Sequence, residues 1–178
     1  MADQLLASWL ERNAKFAEHC VPPPPLLKMR EMWRQQGVKG TIVLSCSDPR
    51  VIPEQFLGMG PSAPAAVIRN AGGRAMDAMR SIQVLNTIAP IGLIAIVHHT
   101  DCGTTHVLDN EVRDRLKQIS SLPAEAIDAM EFGEITNLQD SLRQDVAMIK
   151  TDPTYGGNPP AVVGLLLDIE TGKLRQVA

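Results

Sequence analysis

A single α/β domain on a parallel-core β-sheet is the fold class that this sequence predicts, with flanking helices and an N-terminal helical arm. Short β-branched and apolar runs alternate with amphipathic stretches at helical spacing, a pattern typical of strands joined by crossover helices. Two cysteine motifs, at positions 46–50 and 99–102, each begin where a predicted strand stops. A length of 178 residues suits one domain, 1–178, with an arm over 1–37 and an α/β core over 38–178.

The arm is predicted from two helical patterns separated by prolines. Residues 4–18 form an amphipathic helix, with apolar side chains near one face at Leu5, Leu6, Trp9, Leu10 and Phe16. Four prolines, at 22–25, end it and form a stiff extended spacer, and a second helix over 27–36 closes at Gly37. Such an arm packs either on a neighbouring subunit or on its own domain, and the pattern leaves both open.

The core alternates strands and helices in chain order. Predicted strands are Thr41–Leu44, Ala66–Arg69, Leu93–Val97, Val162–Ile169 and Leu174–Val177, and predicted helices are Met76–Ile88, Val107–Ile119 and Asn137–Lys150. The turn at 170–173 makes the last two strands a terminal hairpin or strand extension. Because sites in open α/β sheets form outside the carboxyl ends of strands, the two cysteine motifs can converge at one edge of the sheet.

Composition excludes several function classes. Hydrophobic residues make up 44% of the chain, the net charge is −3 and the pI is about 5.8, so neither nucleic acid nor a membrane is an expected partner. The first residues lack a basic segment followed by an apolar stretch, which argues against a secretory signal. Three cysteines do not suit a disulfide framework, so we expect a cytoplasmic protein whose cysteines bind metal or react.

The two motifs supply the ligands that tetrahedral zinc prefers. Cys46 comes from the first strand end, and His99 with Cys102 forms a His-x-x-Cys pair after another strand. Three protein ligands leave a fourth position for water, whose pKa zinc lowers to about 7. The sequence therefore predicts a zinc cofactor in a site suited to hydration or hydrolysis.

Asp48 and Arg50 are the predicted catalytic pair. Asp48, two residues after Cys46, can orient a zinc-bound hydroxide while Arg50 holds it in a bidentate ion pair. Unpaired, Asp48 can instead be a fourth zinc ligand and close the site. Asp101 is a candidate outer partner or helix cap, and His106 is either a proton shuttle or a solvated helix-start residue.

Two other classes of function stay open at this point. A non-enzymatic protein with a structural zinc would keep Asp48 permanently on the metal. A thiol redox protein would join Cys46 and Cys102 reversibly after metal loss.

These motifs resemble the β-class carbonic anhydrase family. The similar stretches are Ser45-Cys46-Ser47-Asp48-Pro49-Arg50-Val51, Val67-Ile68-Arg69-Asn70-Ala71-Gly72-Gly73-Arg74 and His98-His99-Thr100-Asp101-Cys102-Gly103. The resemblance implies a parallel-core α/β sheet and a homodimer or dimer-based homo-oligomer with the site at the subunit interface. It also implies zinc on Cys46, His99 and Cys102, with Asp48 and Arg50 as the dyad.

The resemblance implies a small cumulated substrate. Carbon dioxide, giving bicarbonate, is the first expectation, and carbonyl sulfide is the alternative because the compact branch of the family includes carbonyl sulfide hydrolases. Gly72, Gly73 and Phe56 are the candidate substrate-binding residues, with Val51 and Leu57 as further candidates for the wall. Arg69 and the turn after it are expected to bring backbone amides near an anion.

Overall fold

The computed structural model describes residues 1–60 and 64–178 and separates the chain into two compact units, Met1–Val38 and Lys39–Ala178. The first unit holds helices α1 (Ala2–Ala17) and α2 (Leu26–Gln36), joined by the proline segment. Helix α2 ends at Gly37, whose left-handed φ of 64° lets its N–H reach back to the carbonyl of Arg34. Nearly all side chains of both helices are exposed.

The second unit is a five-stranded sheet, which confirms the predicted α/β fold class with a parallel core. Its strands are β1 (Gly40–Cys46), β2 (Ala66–Asn70), β3 (Ile91–His99), β4 (Ala161–Leu167) and β5 (Leu174–Gln176). They lie in the order β2-β1-β3-β4-β5. The first four are mutually parallel, and β5 returns antiparallel to β4 as the predicted terminal hairpin.

Helices cover the sheet on one face, and a smaller cluster covers the other. The remaining α-helices of the described residues are α3 (Pro53–Phe56), α4 (Ala75–Ile88), α5 (Asp109–Ile119), α6 (Ala124–Asp128) and α7 (Leu138–Lys150). Alternate residues of the strands, such as Leu44 and Ile96, pack against α4 and α7 in the larger core. Their neighbours, such as Val43 and Val97, face a second cluster that includes Phe56.

Register puts the two cysteine motifs at one end of the sheet. Ser45 in β1 lies opposite Val97 in β3, so Cys46 and His99 end adjacent parallel strands at the same edge. The N–H of Thr100 extends the ladder by donating to the carbonyl of Leu167 in β4, 2.9 Å away. The segment that carries the second motif is therefore held between β1 on one side and β4 on the other.

Differences from the predicted elements occur mainly at helix ends. Asn137, expected inside a helix, is instead the N-cap of α7, and its side chain accepts from the N–H groups of Gln139 and Asp140. Helix α5 begins at Asp109 because the Glu111 carboxylate caps the N–H of Leu108. The short helices α3 and α6 were absent from the predicted elements. Within residues 1–60 and 64–178, no helix has the length and apolar character that crossing a membrane requires.

Candidate metal centre

Cys46, His99 and Cys102 meet at the carboxyl edge of the sheet. Their side chains are almost fully buried, and their potential ligand atoms all lie within 4.8 Å of one another. The two sulfur atoms are 3.7 Å apart. Since an S–S bond is about 2.05 Å long, the cysteines are present as a thiol pair.

The imidazole of His99 is oriented for metal binding. Its Nδ1 lies 2.9 Å from the carbonyl oxygen of Thr100, which can only accept, so Nδ1 carries the proton and donates. Nε2 is then left with a lone pair. It is buried, and no other described residue offers it a hydrogen bond. A buried nitrogen without a partner is costly in a folded protein, which indicates that the lone pair serves a ligand.

This donor set fits a tetrahedral zinc ion. Two Zn–S bonds of about 2.3 Å at a tetrahedral angle separate the sulfur atoms by about 3.8 Å, and the observed separation is 3.7 Å. The thiols also share one proton unequally. The hydrogen bond from Cys46 lowers the pKa of Cys102 to about 6, and the same interaction raises the pKa of Cys46 to about 11. One thiolate is thus present near neutral pH to receive a cation.

Asp48 lies beside the three donor atoms, paired with Arg50. Oδ2 of Asp48 accepts from Nη2 of Arg50 at 2.7 Å, Oδ1 accepts from Nε at 3.0 Å, and the backbone N–H of Arg50 adds a bond to Oδ1 at 2.9 Å. The guanidinium therefore holds the pKa of Asp48 well below its usual range. Oδ2 of Asp48 is 4.0 Å from Nε2 of His99. The carboxylate is charged and directed at the side of the cluster.

Asp101 and His106 lie on the outer side of Arg50. Nη1 of Arg50 donates to Oδ2 of Asp101 at 2.7 Å, and Nε2 of His106 is 3.1 Å from Oδ1 of the same carboxylate. The His106 side chain is 64% exposed. It therefore touches the outer end of the Asp48–Arg50–Asp101 chain rather than the buried donor atoms.

The glycines at 72 and 73 let the backbone pass close to the cluster. A Cβ at Gly73 would lie 3.1 Å from the backbone nitrogen of Cys46, and one at Gly72 would lie 2.9 Å from Oγ1 of Thr104. Both residues have left-handed φ values, 74° at Gly72 and 68° at Gly73. Their role in substrate binding stays a prediction.

Arg69 has a bracing role that its sequence context did not reveal. Its guanidinium donates to the carbonyl oxygens of Cys46, Asp48 and Val51 at 2.7–2.9 Å, which fixes the curve of the loop that follows β1. These three bonds turn the guanidinium toward protein carbonyls. The expectation that Arg69 and the turn after it bring backbone amides near an anion stays a prediction.

The candidate wall residues pack on the second cluster. Val51 is fully buried there, and Phe56 and Leu57 are half-buried against it. They support the base of the loop after β1. Contact between Phe56 and a substrate stays a prediction.

Two further residues near the site, Thr104 and Asp145, escaped the sequence analysis. Oγ1 of Thr104 lies 3.1 Å from Sγ of Cys102 and can donate to a thiolate there. Asp145, on α7, is buried between His98 and Arg74, with Oδ2 at 3.1 Å from Nε2 of His98 and 3.0 Å from Nε of Arg74. A signal for Asp145 existed, since it falls within the apolar stripe formed by Leu142, Val146 and Ile149.

Comparisons with known proteins agree with this geometry. The carbonic anhydrase family model matches residues 41–174, a span that contains the whole cluster. The β-carbonic anhydrase 1 of Mycobacterium tuberculosis (strain H37Rv) is 27% identical over 175 residues, which are 95% of this chain and 95% of that protein. The carbon disulfide hydrolase of Acidianus sp. (strain A1-3) is 34% identical over 113 residues, which are 63% of this chain and 50% of that protein.

The fold is similar to that of a solved carbonic anhydrase. The crystal structure of the carbonic anhydrase from Streptococcus mutans superposes with a TM-score of 0.78 at 26% sequence identity. The match covers 97% of this chain and 97% of that one. Both units of the present chain therefore have counterparts along a protein of similar length.

Proposed function

Since the chain belongs to the β-class carbonic anhydrase family, we propose that it hydrates carbon dioxide to bicarbonate at a zinc ion held by Cys46, His99 and Cys102. The observation that carries this proposal is the buried, unpartnered Nε2 of His99, which lies beside two thiols at the sulfur separation of a tetrahedral zinc site. Zinc bound there supplies a Lewis acid that lowers the pKa of water at its remaining position.

The protein's own residues orient and hold the reacting groups. The Asp48 carboxylate can only accept hydrogen bonds when ionised, and its ion pair with Arg50 keeps it ionised. It therefore selects a reacting oxygen that still carries one proton and directs the lone pairs of that oxygen toward the substrate carbon. The hydrogen bonds from Arg50 hold Asp48 in this position.

The same carboxylate has a second position available. With Oδ2 only 4.0 Å from Nε2 of His99, a small movement would make Asp48 a fourth ligand to a metal at the cluster. Loss of the ion pair with Arg50 favours this closed state, in which Asp48 is a metal ligand, because the carboxylate then lacks its counter-charge. Arg50→Ala should accordingly trap Asp48 on the metal.

Metal content and activity together test the enzyme against a structural zinc protein. The purified protein should contain about one zinc per chain, and Cys46→Ser and Cys102→Ser should each lose it. Asp48→Ala should retain zinc while carbon dioxide hydration, followed by stopped flow, falls steeply. Loss of zinc and stability with Asp48→Ala would instead support a structural site with four protein ligands.

A thiol redox protein is the remaining alternative. It predicts reversible disulfide formation between Cys46 and Cys102 after metal removal, without any zinc-dependent activity. Free-thiol counts before and after mild oxidation, compared with hydration by the zinc-loaded protein, separate it from the enzyme.

A sulfur-containing substrate is the second candidate, favoured by the 34% identity to a carbon disulfide hydrolase. Carbonyl sulfide and carbon disulfide are linear and electrophilic at carbon, as carbon dioxide is. A nucleophile at the proposed metal site can therefore attack the carbon of any of the three. Stopped-flow hydration should be measured beside sulfide release from carbonyl sulfide and from carbon disulfide. Rapid sulfide release with hydration near background would reverse the order of preference, and inactivity toward all three by zinc-loaded protein would contradict the enzyme.

The active unit that we propose is a homodimer or a dimer-based homo-oligomer. Helix α1 carries five apolar side chains that are at least half exposed: Leu5, Leu6, Trp9, Leu10 and Phe16. A surface of this kind is typical of a protein interface.

A small-molecule substrate without nucleic-acid or membrane partners, and a cytoplasmic location, stay predictions.

A further inference from the structure

Arg50 is bound on both edges of its guanidinium. The edge formed by Nε and Nη2 faces the Asp48 carboxylate, as described above. On the other edge, Nη1 donates to Oδ2 of Asp101 at 2.7 Å and Nη2 donates to the backbone carbonyl of Asp101 at 2.8 Å. Asp48 and Asp101 therefore bind different edges of the Arg50 guanidinium and do not compete for it.

Asp101 adopts an unusual backbone conformation to make both contacts. Its φ of +53° is the only left-handed value at a non-glycine residue within the described parts of the chain. Aspartate tolerates this region better than most residues, although at some cost in energy. The conformation brings the carbonyl and the carboxylate of one residue to the same guanidinium.

The Arg50–Asp101 contact joins the two segments that carry the metal donors. Cys46 ends β1 and Asp48 lies in the loop after it, whereas His99 ends β3 and Cys102 directly follows Asp101. The Arg50 side chain is half exposed, and a long exposed side chain held at one edge alone retains much rotamer freedom. The contacts of Asp101 with the second edge thus restrict the Arg50 side chain to the position in which it binds Asp48.

We propose that Asp101 is a positioning residue which, by holding the outer edge of Arg50, keeps Asp48 paired and away from the metal position. This inference rests on the proposed zinc site. It predicts that loss of the Asp101 carboxylate loosens Arg50 and allows Asp48 to occupy the fourth coordination position more often. The Asp101 carboxylate contacts Arg50 and His106 rather than the three metal donor atoms.

The test uses the full-length protein with cobalt(II) in place of zinc and azide as the probe. Azide binding at the open position is followed by the visible absorption of cobalt. With Asp101→Asn, Asp48 competes for that position, and azide affinity should fall by about tenfold. Asparagine tolerates the left-handed φ, so the backbone conformation is retained.

Asp48→Ala protein serves as a second background, which separates a positioning role of Asp101 from simple support of the loop. In Asp48→Ala protein no carboxylate can compete, and adding Asp101→Asn should leave azide affinity unchanged. Equal losses of affinity in both backgrounds would mean that Asp101 only braces the loop, and no loss in either would mean that it does nothing for the site. Both results overturn the proposal.

Two controls complete the design. Glu170→Gln removes one negative charge from the surface cavity that Arg50 and Asp101 line, and it should not change azide binding. Asp101→Gly removes the carboxylate while fully accepting the φ of +53°, and it should reproduce Asp101→Asn. Failure of cobalt to bind, or of azide to bind in Asp48→Ala protein, would contradict the proposed metal site itself, whereas normal binding without the Asp101 effect contradicts this inference alone.

Discussion

The buried carboxylate of Asp145 lies 3.0 Å from Nε of Arg74, and this pair connects three elements behind the metal centre. Asp145 belongs to α7, Arg74 precedes α4, and Oδ2 of Asp145 also contacts His98 at the end of β3. Arg74 further donates to the carbonyl oxygens of Gly133 and Glu134. The pair thus fixes helices and loops around the edge of the sheet where the donors converge.

Removing Asp145 should destabilise the protein severely. Asp145→Ala leaves the Arg74 guanidinium buried without its counter-charge, and breaking a buried ion pair in this way costs about 3–5 kcal/mol. Urea unfolding followed by circular dichroism measures the loss. Asp140→Ala on the same helix is the matched control, because Asp140 pairs with Arg143 at an exposed position and should matter far less. Similar midpoints for the two variants would contradict a structural role for the Asp145–Arg74 pair.

Gly73 should not accept a side chain. A Cβ there would lie 3.1 Å from the backbone of both Ser45 and Cys46, at a residue whose φ of 68° is unfavourable for alanine. We expect Gly73→Ala to lower the free energy of unfolding by about 2 kcal/mol or more and to weaken zinc binding by displacing Cys46. Gly60→Ala, where no atom of the described residues beyond its chain neighbours lies within 4 Å of an added Cβ, should be tolerated. Chemical denaturation and zinc titration of both variants provide the comparison.

The two thiols should titrate far apart in the metal-free protein. With Cys20→Ser as background, the ultraviolet absorbance of thiolate should rise first near the Cys102 pKa of about 6 and again near the Cys46 pKa of about 11. Between these values the thiol pair carries one proton, so the cysteines should release about one proton on zinc binding, and more below the lower pKa, where both thiols and the imidazole of His99 are protonated. Calorimetry in buffers of different ionisation enthalpy counts the protons.

A single variant identifies the cause of the split titration. Cys46→Ala removes the hydrogen bond that lowers the Cys102 pKa, so the first transition should move upward. An unchanged transition would mean that Thr104 or another group controls the thiolate.

The exposed apolar side chains of α1 should drive self-association. Trp9 and Phe16 are 56% and 65% exposed, and burial against a second copy would remove them from water. Trp9→Ser with Phe16→Ser, like deletion of residues 1–21, should weaken the oligomer in light scattering and sedimentation. Lys15→Ser, which removes only an exposed charge from the same helix, is the control. An unchanged oligomer in the double variant would assign the interface to another surface.

Short continuous apolar runs predicted the strands, as with Ile42, Val43 and Leu44 in β1, which are all buried. Helical periodicity predicted the long helices, as with the apolar stripe of α7, which recurs over three turns. Helices α3 and α6 contain four and five residues, too few to display a helical period. Their existence depends on packing, as with Pro53 and Ile127, which are buried.

The sequence by itself determined the chemistry of this protein: the thiol and imidazole donors, their location after strands, and an acidic residue two positions from a cysteine. The tertiary structure decided which groups meet, because Arg50 and Asp101 are 51 residues apart and Arg74 and Asp145 are 71 apart. Local propensity carries no information about such pairs. They form only when the register of β1 and β3 and the packing of α7 bring the separated segments to one edge of the sheet.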